Sequence, residues 1–281
     1  MLRLERILIP VDFSEFSAAA ARHAIALAER FQSEIHILHV LDSGFRMPKL
    51  GEEEDEIAPC GPQGREAAQQ ALDAFLCGEL KPGRAKRVLL CGDPASEIVR
   101  YAQEIDCSLI AMPTRGYGVL RRCLLGSVTA KVLHDAECPV WTGVHAENFP
   151  RIQPATLTKV LCAVDFSSSN TVAVRWAKEF ADAYHAQLGL VHVLPVVHES
   201  WRPHLERQTR TTLSKMMLIE GVHAETSAEF GEVGEAIAEV ARKMGAGLLI
   251  IGRGAASAAL GRLRSSSYSI IRESPCPVIS V

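Results

Sequence analysis

The chain has 281 residues and is 48% hydrophobic, enough for one large domain or for two of ordinary size with separate cores. Its formal net charge of −3 provides no basic field for nucleic acid, and no stretch interleaves aromatic and basic residues. No apolar run reaches the length of a membrane span, and the opening MLRLERILIPVDFS has no signal-peptide pattern. We therefore expect a soluble, cytoplasmic protein that binds neither nucleic acid nor membranes.

The two halves of the chain carry the same sequence pattern. Residues 7–14 read ILIPVDFS and residues 160–167 read VLCAVDFS, and the same offset aligns HVL at residues 39–41 with HVL at residues 192–194. Later, GDPASEI in the first half corresponds to GEVGEAI in the second, and ECPV corresponds to PCPV. Because the unit spans nearly half the chain, we interpret it as a tandem domain duplication and not as a short-period solenoid.

In the first half, short apolar runs alternate with helical patterns. Strands are predicted at residues 6–11, 34–41, 86–91, 108–112 and 139–142, and the helices between them begin near Ser17, Arg65, Pro94 and Ser127. The insert at residues 42–64 carries the acidic run EEEDE and shows no periodicity. We interpret the insert as a surface loop with a solvated acidic face, and a metal site there is the less favoured alternative.

The second half repeats this alternation after a proline-containing linker. Its strands are predicted near residues 159–164, 188–194, 223–230, 248–251 and 278–281. Residues 148–158 form the predicted linker between a first domain at residues 1–147 and a second at residues 159–281. Alternating apolar strands and helices predict an α/β fold with two doubly wound domains, each a parallel sheet with helices on both faces.

The cysteines and histidines show no metal-binding spacing. The eight cysteines include no CxxC pair, and several lie inside apolar strand patterns, such as Cys91 and Cys162. We expect buried, reduced thiols at such positions. His39 and His192 each lie in a predicted strand, where a hydrogen-bonded structural histidine is favoured over a catalytic one.

The stretch LIAMPTRGYGVLRRCLLGSV, at residues 109–128, is the main candidate for ligand binding. Its apolar start predicts a buried strand that ends at Pro113, and Gly126 and Ser127 precede a helical pattern. The N-terminus of a helix favours an anion, because its first N–H groups lack partners and the helix dipole is positive there. Two glycines alone are weak support, since glycine is common in any turn between a strand and a helix.

The end of the first strand supplies a carboxylate that could complete this site. In an open parallel sheet, ligands bind beyond the carboxyl ends of the strands where strand order reverses. If the first strand and the strand before Pro113 are neighbours there, Asp12 and Gly116 face one crevice. A cap on the following helix is the alternative role for Asp12, and Ser14 competes for that role. Residue type alone does not decide between these roles.

The chain resembles a tandem universal stress protein. The resemblance is carried by ILIPVDFS, the strand ending HVL, GDPASEI, the turn TRGYGVLRRCLLGS and the endings ECPV and PCPV, and it covers almost the whole chain. It implies five-stranded sheets of order 3-2-1-4-5, ATP binding in one subgroup, dimerisation through the last strand and a role in stress survival.

Carrying the family's nucleotide contacts over by position gives a set of site residues in the first half. The implied adenine and ribose contacts are Pro10, Val11, Asp12, Val40 and Met112, and the implied phosphate contacts are Gly116, Gly126, Ser127 and Val128. The implied ligand is ATP with Mg²⁺. The subgroup's pattern is G-x-x-G-x9-G-[ST], and its first glycine is replaced here by Pro113, which has no N–H to donate.

The second half departs further from the nucleotide-binding pattern. Counting back from Cys276 places Gly254 at the position of Gly116, Arg264 at that of Gly126 and Ser265 at that of Ser127. Counting forward from Gly231 places Gly252 at the position of Pro113, so the turn is one residue shorter. An arginine where the backbone should approach a phosphate disfavours the same binding mode, although its charge could hold an anion differently. We expect a degenerate partner domain.

Two functional hypotheses follow from the resemblance. The first is an ATP-binding regulatory or stress-response protein with the nucleotide in the first domain, and the alternative is an interaction scaffold that binds no nucleotide. We expect no enzymatic activity beyond slow ATP hydrolysis, because no base and nucleophile are paired in the pattern. An unidentified protein partner is expected in both cases.

The last strand of each half predicts how the halves assemble. PVWTGV and PVISV are apolar and uncharged, and the family's strand order places each at a sheet edge, where open backbone groups favour pairing. We expect the two edges to pair antiparallel within the chain as a pseudo-dimer, because the linker raises their effective concentration. The chain would then be monomeric, and a homodimer through other surfaces is the alternative.

Overall fold

The computed structural model describes residues 2–42, 60–80, 83–114, 125–143, 156–167, 170–253 and 265–281. The first half contains β1 (Arg6–Pro10), α1 (Glu15–Phe31), β2 (Glu34–Asp42), α2 (Pro62–Ala74), β3 (Ala85–Gly92), α3 (Pro94–Glu104), β4 (Leu109–Pro113), α4 (Ser127–Asp135) and β5 (Val140–Gly143). The second half contains β6 (Lys159–Ala163), α5 (Asn170–Tyr184), β7 (Gln187–Leu194), α6 (Arg202–Glu220), β8 (Glu225–Phe230), α7 (Val233–Met244), β9 (Leu248–Ile251), α8 (Ser265–Glu273) and β10 (Val278–Ser280).

The predicted strands all form, within about two residues at each end. Two helices start slightly earlier than predicted. α1 begins at Glu15, and α2 begins at Pro62, inside the segment expected to be a loop. A proline at the first position of α2 favours a helix start, because its missing N–H would have no partner there. The acidic run at residues 52–56 and most of the predicted linker at residues 148–158 lie outside the described residues.

Among the described strands, those of both halves form one continuous sheet of ten, in the order β3-β2-β1-β4-β5-β10-β9-β6-β7-β8. Read from either end, each half has the order 3-2-1-4-5, and every pair inside a half is parallel. The predicted doubly wound α/β class and strand order are therefore confirmed.

Both faces of the sheet are covered, which explains why the strands are almost continuously apolar. Side chains alternate along β1, so that Ile7 and Ile9 pack into one core and Leu8 packs into the other. The first core is covered mainly by α1 and α5, and α2 and α6 add Leu72 and Leu213. The second core is covered by α3 and α4 in the first half and by α7 and α8 in the second.

The two halves meet where β5 and β10 pair antiparallel. Ile279 lies opposite Trp141 and Ser280 lies opposite Val140, and all four residues are fully buried. The two uncharged edges thus satisfy each other's backbone groups within one chain, as expected from the sequence.

Two arginines add contacts across this junction. The Arg253 guanidinium, just beyond β9, donates to the carbonyl oxygens of Ala136 and Cys138, which follow α4 of the first half. Arg30 at the end of α1 donates to the Ala183 carbonyl oxygen near the end of α5. Both arginines bind carbonyls at or beyond helix C-termini, where the helix dipole favours a cation.

The cysteines correct one sequence-based expectation. Cys162 is fully buried and free, and its burial raises its pKa to about 12. The expectation of a reduced thiol is wrong for Cys91, which forms a disulfide with Cys60 across 31 positions of sequence. Spacing could not reveal this pair, because Cys60 reaches Cys91 only after the chain has crossed over from β2 to β3.

We expect Val278→Lys to destabilise the chain, because it places a charge in the buried junction. The loss should exceed the roughly 2 kcal/mol that burying a valine side chain contributes. Urea unfolding measures it, with Val196→Lys as the control, since Val196 is 71% exposed. Equal unfolding midpoints for the two variants would contradict the importance of this junction.

Candidate functional site

The candidate site lies at the carboxyl ends of β1, β2 and β4. β1 pairs with β2 on one side and with β4 on the other, so the strand order reverses at β1. The register places Ile7 beside Leu109 and Leu8 beside Ile110, which brings the end of β1 level with Met112. This edge is where open parallel sheets bind ligands.

The loop after β1 is fixed by backbone and side-chain hydrogen bonds. The Val11 N–H donates to the Leu38 carbonyl oxygen at 2.8 Å, and His39 Nδ1 donates to the Val11 carbonyl oxygen at 2.7 Å. His39 is therefore structural, as its strand position suggested. The side chain of Val11 belongs to the core under α1, on the opposite face from α4.

Ser14, and not Asp12, caps α1. Ser14 Oγ accepts from the Ser17 N–H at 3.1 Å, and Asp12 Oδ1 accepts from the Ser14 N–H at 3.0 Å and from the Ser14 hydroxyl at 2.5 Å. The carboxylate of Asp12 thus orients the capping serine at the rim of the site. Of the two residues that the sequence offered as the cap of α1, Ser14 takes this role.

A phenylalanine in an unusual conformation completes the loop in both halves. Phe13 has a φ of 63° and packs on the His39 ring, with centroids 4.3 Å apart. Phe166 has a φ of 59° and packs on His192 at 4.2 Å, and His192 donates to the Val164 carbonyl oxygen at 2.7 Å. A positive φ costs a bulky residue of order 1 kcal/mol, and the ring and hydrogen-bond contacts offset this cost.

The second side of the site is the turn from β4 into α4. Pro113 is the last residue of β4 and is buried, and its carbonyl oxygen accepts from the Thr129 hydroxyl at 3.0 Å. The Gly126 N–H donates to the Thr114 carbonyl oxygen at 2.8 Å. Gly126 precedes α4 with φ −61° and ψ 145°, angles open to any residue, so the glycine matters only for the space it leaves.

The N-terminus of α4 differs from those of α1 and α3. Ser14 caps α1 and Asp93 caps α3, whereas Gly126 provides no side-chain cap for α4 within the described part of the chain. Ser127 is exposed, and Ser127 and Val128 are the first two helical residues. Their N–H groups have no acceptor inside the helix and point toward the carboxyl edge of the sheet.

The structure brings most of the predicted site residues to one edge. Met112, Val40 and Val128 pack against the core under α3 and α4, and strand alternation places Pro10 on the same face. Asp12, Gly126 and Ser127 lie at the rim of this face, while Val11 points into the other core. Gly116 lies outside the described residues.

The corresponding edge of the second half is arranged differently. Asp165, the counterpart of Asp12, accepts from the Ser167 N–H at 3.0 Å and from the Asn170 side-chain amide at 2.8 Å. Asn170 is 3% exposed and also accepts from the Asp165 N–H at 3.1 Å. Gly252 and Arg253 follow β9, Ser265 begins α8, and Gly254 and Arg264 lie outside the described residues.

The sequence analysis used GDPASEI as a repeat and family marker and predicted a helix start near Pro94, but it did not identify the role of Asp93. Asp93 Oδ1 accepts from the Ser96 N–H at 2.9 Å, which caps α3, and from Lys131 Nζ of α4 at 2.8 Å. The ammonium of Lys131, with Ser96, lowers the pKa of Asp93 to about 2. The pattern of aspartate, proline and serine is a helix-start signal, but the partner on α4 needed the fold.

The described residues contain neither a metal-binding cluster nor a membrane-spanning helix. No three histidine, cysteine, aspartate or glutamate side chains there are grouped so as to hold a metal ion. Of the helices that the structure describes, none combines the length and apolar character needed to cross a membrane.

The fold and this edge define a tandem doubly wound α/β protein in which the strand order of the first half reverses at β1. The sequence profile of the universal stress protein family matches residues 3–142 and 156–281. The chain therefore belongs to the universal stress protein family, which it matches twice.

Known proteins agree with this assignment. A universal stress protein of Methanocaldococcus jannaschii is 36% identical over 138 residues, which is 48% of this chain and 79% of the relative. One from Bacillus subtilis is 31% identical over 147 residues, covering 48% of this chain and 95% of the relative. Each of these relatives therefore matches about half of the chain.

Solved structures match the chain over its full length. The crystal structure of a universal stress protein from Archaeoglobus fulgidus has a TM-score of 0.70 and 26% identity, covering 99% of this chain and 96% of that one. A functionally unknown protein from Pseudomonas aeruginosa has the same TM-score at 19% identity, covering 99% and 92%, and supports the fold alone.

We expect Asp93→Ala to destabilise the first half by about 1 kcal/mol at neutral pH, the usual cost of losing a helix cap. The pKa of Asp93 falls from 3.8 to about 2 on folding, so its stabilisation is present above the higher value and is lost as pH falls through the lower one. Urea unfolding of the unchanged chain and of Asp93→Ala should show that the difference in their free energies of unfolding shrinks as pH falls over this range.

The control is Glu232→Ala, at the corresponding position in the second half. Glu232 precedes α7 but makes no capping hydrogen bond with its side chain. A loss as large as that from Asp93→Ala would show that the cap does not explain the effect.

Proposed function

We propose that the chain is an ATP-binding regulatory protein of the stress response, with the nucleotide held by its first domain. In this proposal residues 1–147 form the binding domain, residues 148–158 the linker, and residues 159–281 a partner domain with a degenerate site. The observation that carries the proposal is the uncapped N-terminus of α4 beside the carboxyl ends of β1 and β4.

The adenosine part would lie on the sheet face that α3 and α4 cover. Val40 and Met112 form an apolar surface on that face, and Pro10 lies between them on β1. Asp12 at the rim offers a carboxylate to ribose hydroxyls or to the base. Val11 supports the site indirectly, because its N–H and its carbonyl oxygen hold the loop and its side chain packs in the other core.

The phosphates would bind at the start of α4. The N–H groups of Ser127 and Val128 and the Ser127 hydroxyl can donate to phosphate oxygens, and the helix dipole adds favourable charge. The N–H of Gly126 already donates to Thr114, so Gly126 contributes space for close approach and not a hydrogen bond. Gly116, on the intervening turn, stays a predicted contact.

Pro113 removes one donor from the family's pattern, but its carbonyl oxygen still connects β4 to α4. Its ring has no N–H, so any phosphate contact from that amide is lost. Its carbonyl oxygen is bound by Thr129 of α4, which fixes the end of β4 against the start of the helix. We therefore propose that binding persists through Ser127 and Val128.

Mg²⁺ would be held mainly by the phosphate oxygens and water. Mg²⁺ usually binds proteins through one or two carboxylates together with substrate phosphates, and the described residues contain no larger cluster. We propose a binding role and at most slow ATP hydrolysis. The protein would act in the cytoplasm through a protein partner.

The second candidate function is an interaction scaffold that binds no nucleotide. The continuous sheet and its buried junction favour it, because they make a rigid body without any ligand. In either case β5 and β10 already pair with each other, so a homodimer would have to use other surfaces.

Gly126→Arg tests the phosphate site by giving the first half the residue that the second half has at this position. We expect ATP affinity to fall at least about a hundredfold, equivalent to roughly 2.7 kcal/mol, because the side chain fills the space before α4. Titration calorimetry measures the affinity. Gly78→Arg is the control, since a side chain there meets nothing within 4 Å. Unchanged affinity in Gly126→Arg would place the phosphates elsewhere.

Asp12→Ala and Asp165→Ala test which half holds the nucleotide. Asp12→Ala should weaken ATP binding, whereas Asp165→Ala should leave it unchanged, because Asp165 is engaged by Asn170. The same calorimetric titration also gives the number of sites. Equal losses from both changes, or two sites per chain, would contradict a degenerate second half.

A further inference from the structure

The disulfide between Cys60 and Cys91 lies next to the proposed nucleotide site. Cys60 stands two residues before α2, and Cys91 lies near the carboxyl end of β3, with their Cα atoms 6.0 Å apart. Both cysteines are partly exposed. In the parallel pairing of β2 with β3, Cys91 lies beside Leu41. The neighbouring pair in this register is Leu90 beside Val40, a residue of the proposed site.

Two observations indicate that this disulfide does not serve to stabilise the fold in general. Five other cysteines among the described residues are free, including Cys162 and Cys276 in the buried core. In a reducing compartment, which the sequence favours for this chain, disulfides are usually transient and redox-sensing. Partial exposure also makes the pair reachable by a small thiol.

We propose that Cys60 and Cys91 form a reversible thiol–disulfide latch that fastens the start of α2 to the end of β3 and thereby raises the nucleotide affinity of the first half. The effect on affinity rests on the proposed function. The latch itself does not.

The latch matters because the start of α2 has few other attachments. Its cap residue Gly61 provides no side-chain hydrogen bond, and only Ala68 and Leu72 of the helix are buried. The C-terminal end of α2 is attached to β3 without the disulfide, because the Arg87 guanidinium of β3 donates to the carbonyl oxygens of Leu72 and Phe75. Breaking the disulfide would leave the first turns of α2 exposed and uncapped.

A chain of contacts connects α2 to the site. Phe75, just after α2, packs against Phe13 with ring centroids 5.9 Å apart. Phe13 packs on His39, and His39 donates to the Val11 carbonyl oxygen next to Asp12. Ordering α2 therefore orders the loop that presents Asp12, and a preordered loop binds ligand at a smaller entropic cost.

The second half provides an internal comparison. The alignment of GDPASEI with GEVGEAI places Phe230 at the position of Cys91. There the guanidinium of Arg202, the first residue of α6, lies 5.0 Å from the Phe230 ring centroid. The same helix start and strand end are thus joined by a cation–π contact that no redox reaction can break, and the redox-sensitive version occurs in the half with the proposed site.

The chemistry is ordinary thiol–disulfide exchange. A thiolate of a small dithiol attacks one sulfur, the Cys60–Cys91 bond breaks, and the other cysteine leaves as a thiolate that takes up a proton. The second thiol of the reductant then closes its own disulfide and releases the remaining cysteine. In reverse, hydrogen peroxide oxidises one thiolate to a sulfenic acid with release of hydroxide, and the other cysteine displaces water to form the disulfide.

The experiment compares the full chain after peroxide treatment and after reduction with dithiothreitol and its removal. Alkylation and intact mass should show two more reactive thiols in the reduced chain, and peptide mapping should assign them to Cys60 and Cys91. Hydrogen exchange should be at least about tenfold faster in the first turns of α2 after reduction. Calorimetry should show ATP binding about fivefold weaker in the reduced chain.

Variants separate the latch from other thiol effects. Cys60→Ser and Cys91→Ser should each behave like the reduced chain under both conditions. Cys77→Ser, which removes an exposed free thiol just beyond α2, should keep the full redox response. A redox response that survives in Cys60→Ser would overturn the assignment to this pair.

The remaining outcomes distinguish the two proposals. Absence of the disulfide after oxidation, or equal exchange of α2 in both states, would overturn the latch. A redox-dependent α2 with equal ATP affinity would overturn the regulation alone. If neither state binds ATP, the proposed function fails, while faster exchange of α2 after reduction still supports the latch.

Discussion

The antiparallel pairing of β5 with β10 is the interaction on which the rest of the architecture depends. Each strand ends a parallel sheet with an uncharged, apolar edge, and an open edge of this kind must be paired or covered. Pairing the two within one chain buries Trp141 opposite Ile279 and makes one sheet from two. It also sets the carboxyl edge of the second half beside the amino edge of the first, which lets Arg253 reach the end of α4.

The repeated sequence signatures now have separate explanations. The VDFS and HVL segments encode one loop geometry, in which a histidine holds a valine carbonyl and a phenylalanine adopts a positive φ, and this geometry occurs in both halves. This loop geometry therefore belongs to the fold, since it occurs in both halves and does not by itself distinguish the half with the proposed site. The feature that supports the proposed phosphate site lies at the start of α4, where Gly126 provides no side-chain cap.

The two halves differ at three places around the same edge. The second half binds its aspartate with the buried Asn170, has Arg264 in place of Gly126, and joins α6 to Phe230 through Arg202. The first half has Ser17, Gly126 and the Cys60–Cys91 disulfide at the corresponding places. All three differences agree with the proposal that only the first half binds a nucleotide and responds to redox conditions.

The sequence alone determined the elements and the duplication and placed most of the predicted site residues at one edge, because these depend on local periodicity and on residues at the ends of strands. Pro10, Asp12 and Met112 could be placed at one edge once the strand order was expected, and the uncharged edges predicted their own pairing. Only the tertiary structure decided that Ser14 caps α1, that Val11 points into the opposite core, and that Cys60 meets Cys91. The physical reason is that a cap, a face and a disulfide each depend on the exact direction of a side chain or the path of a crossover, and sequence spacing does not specify either.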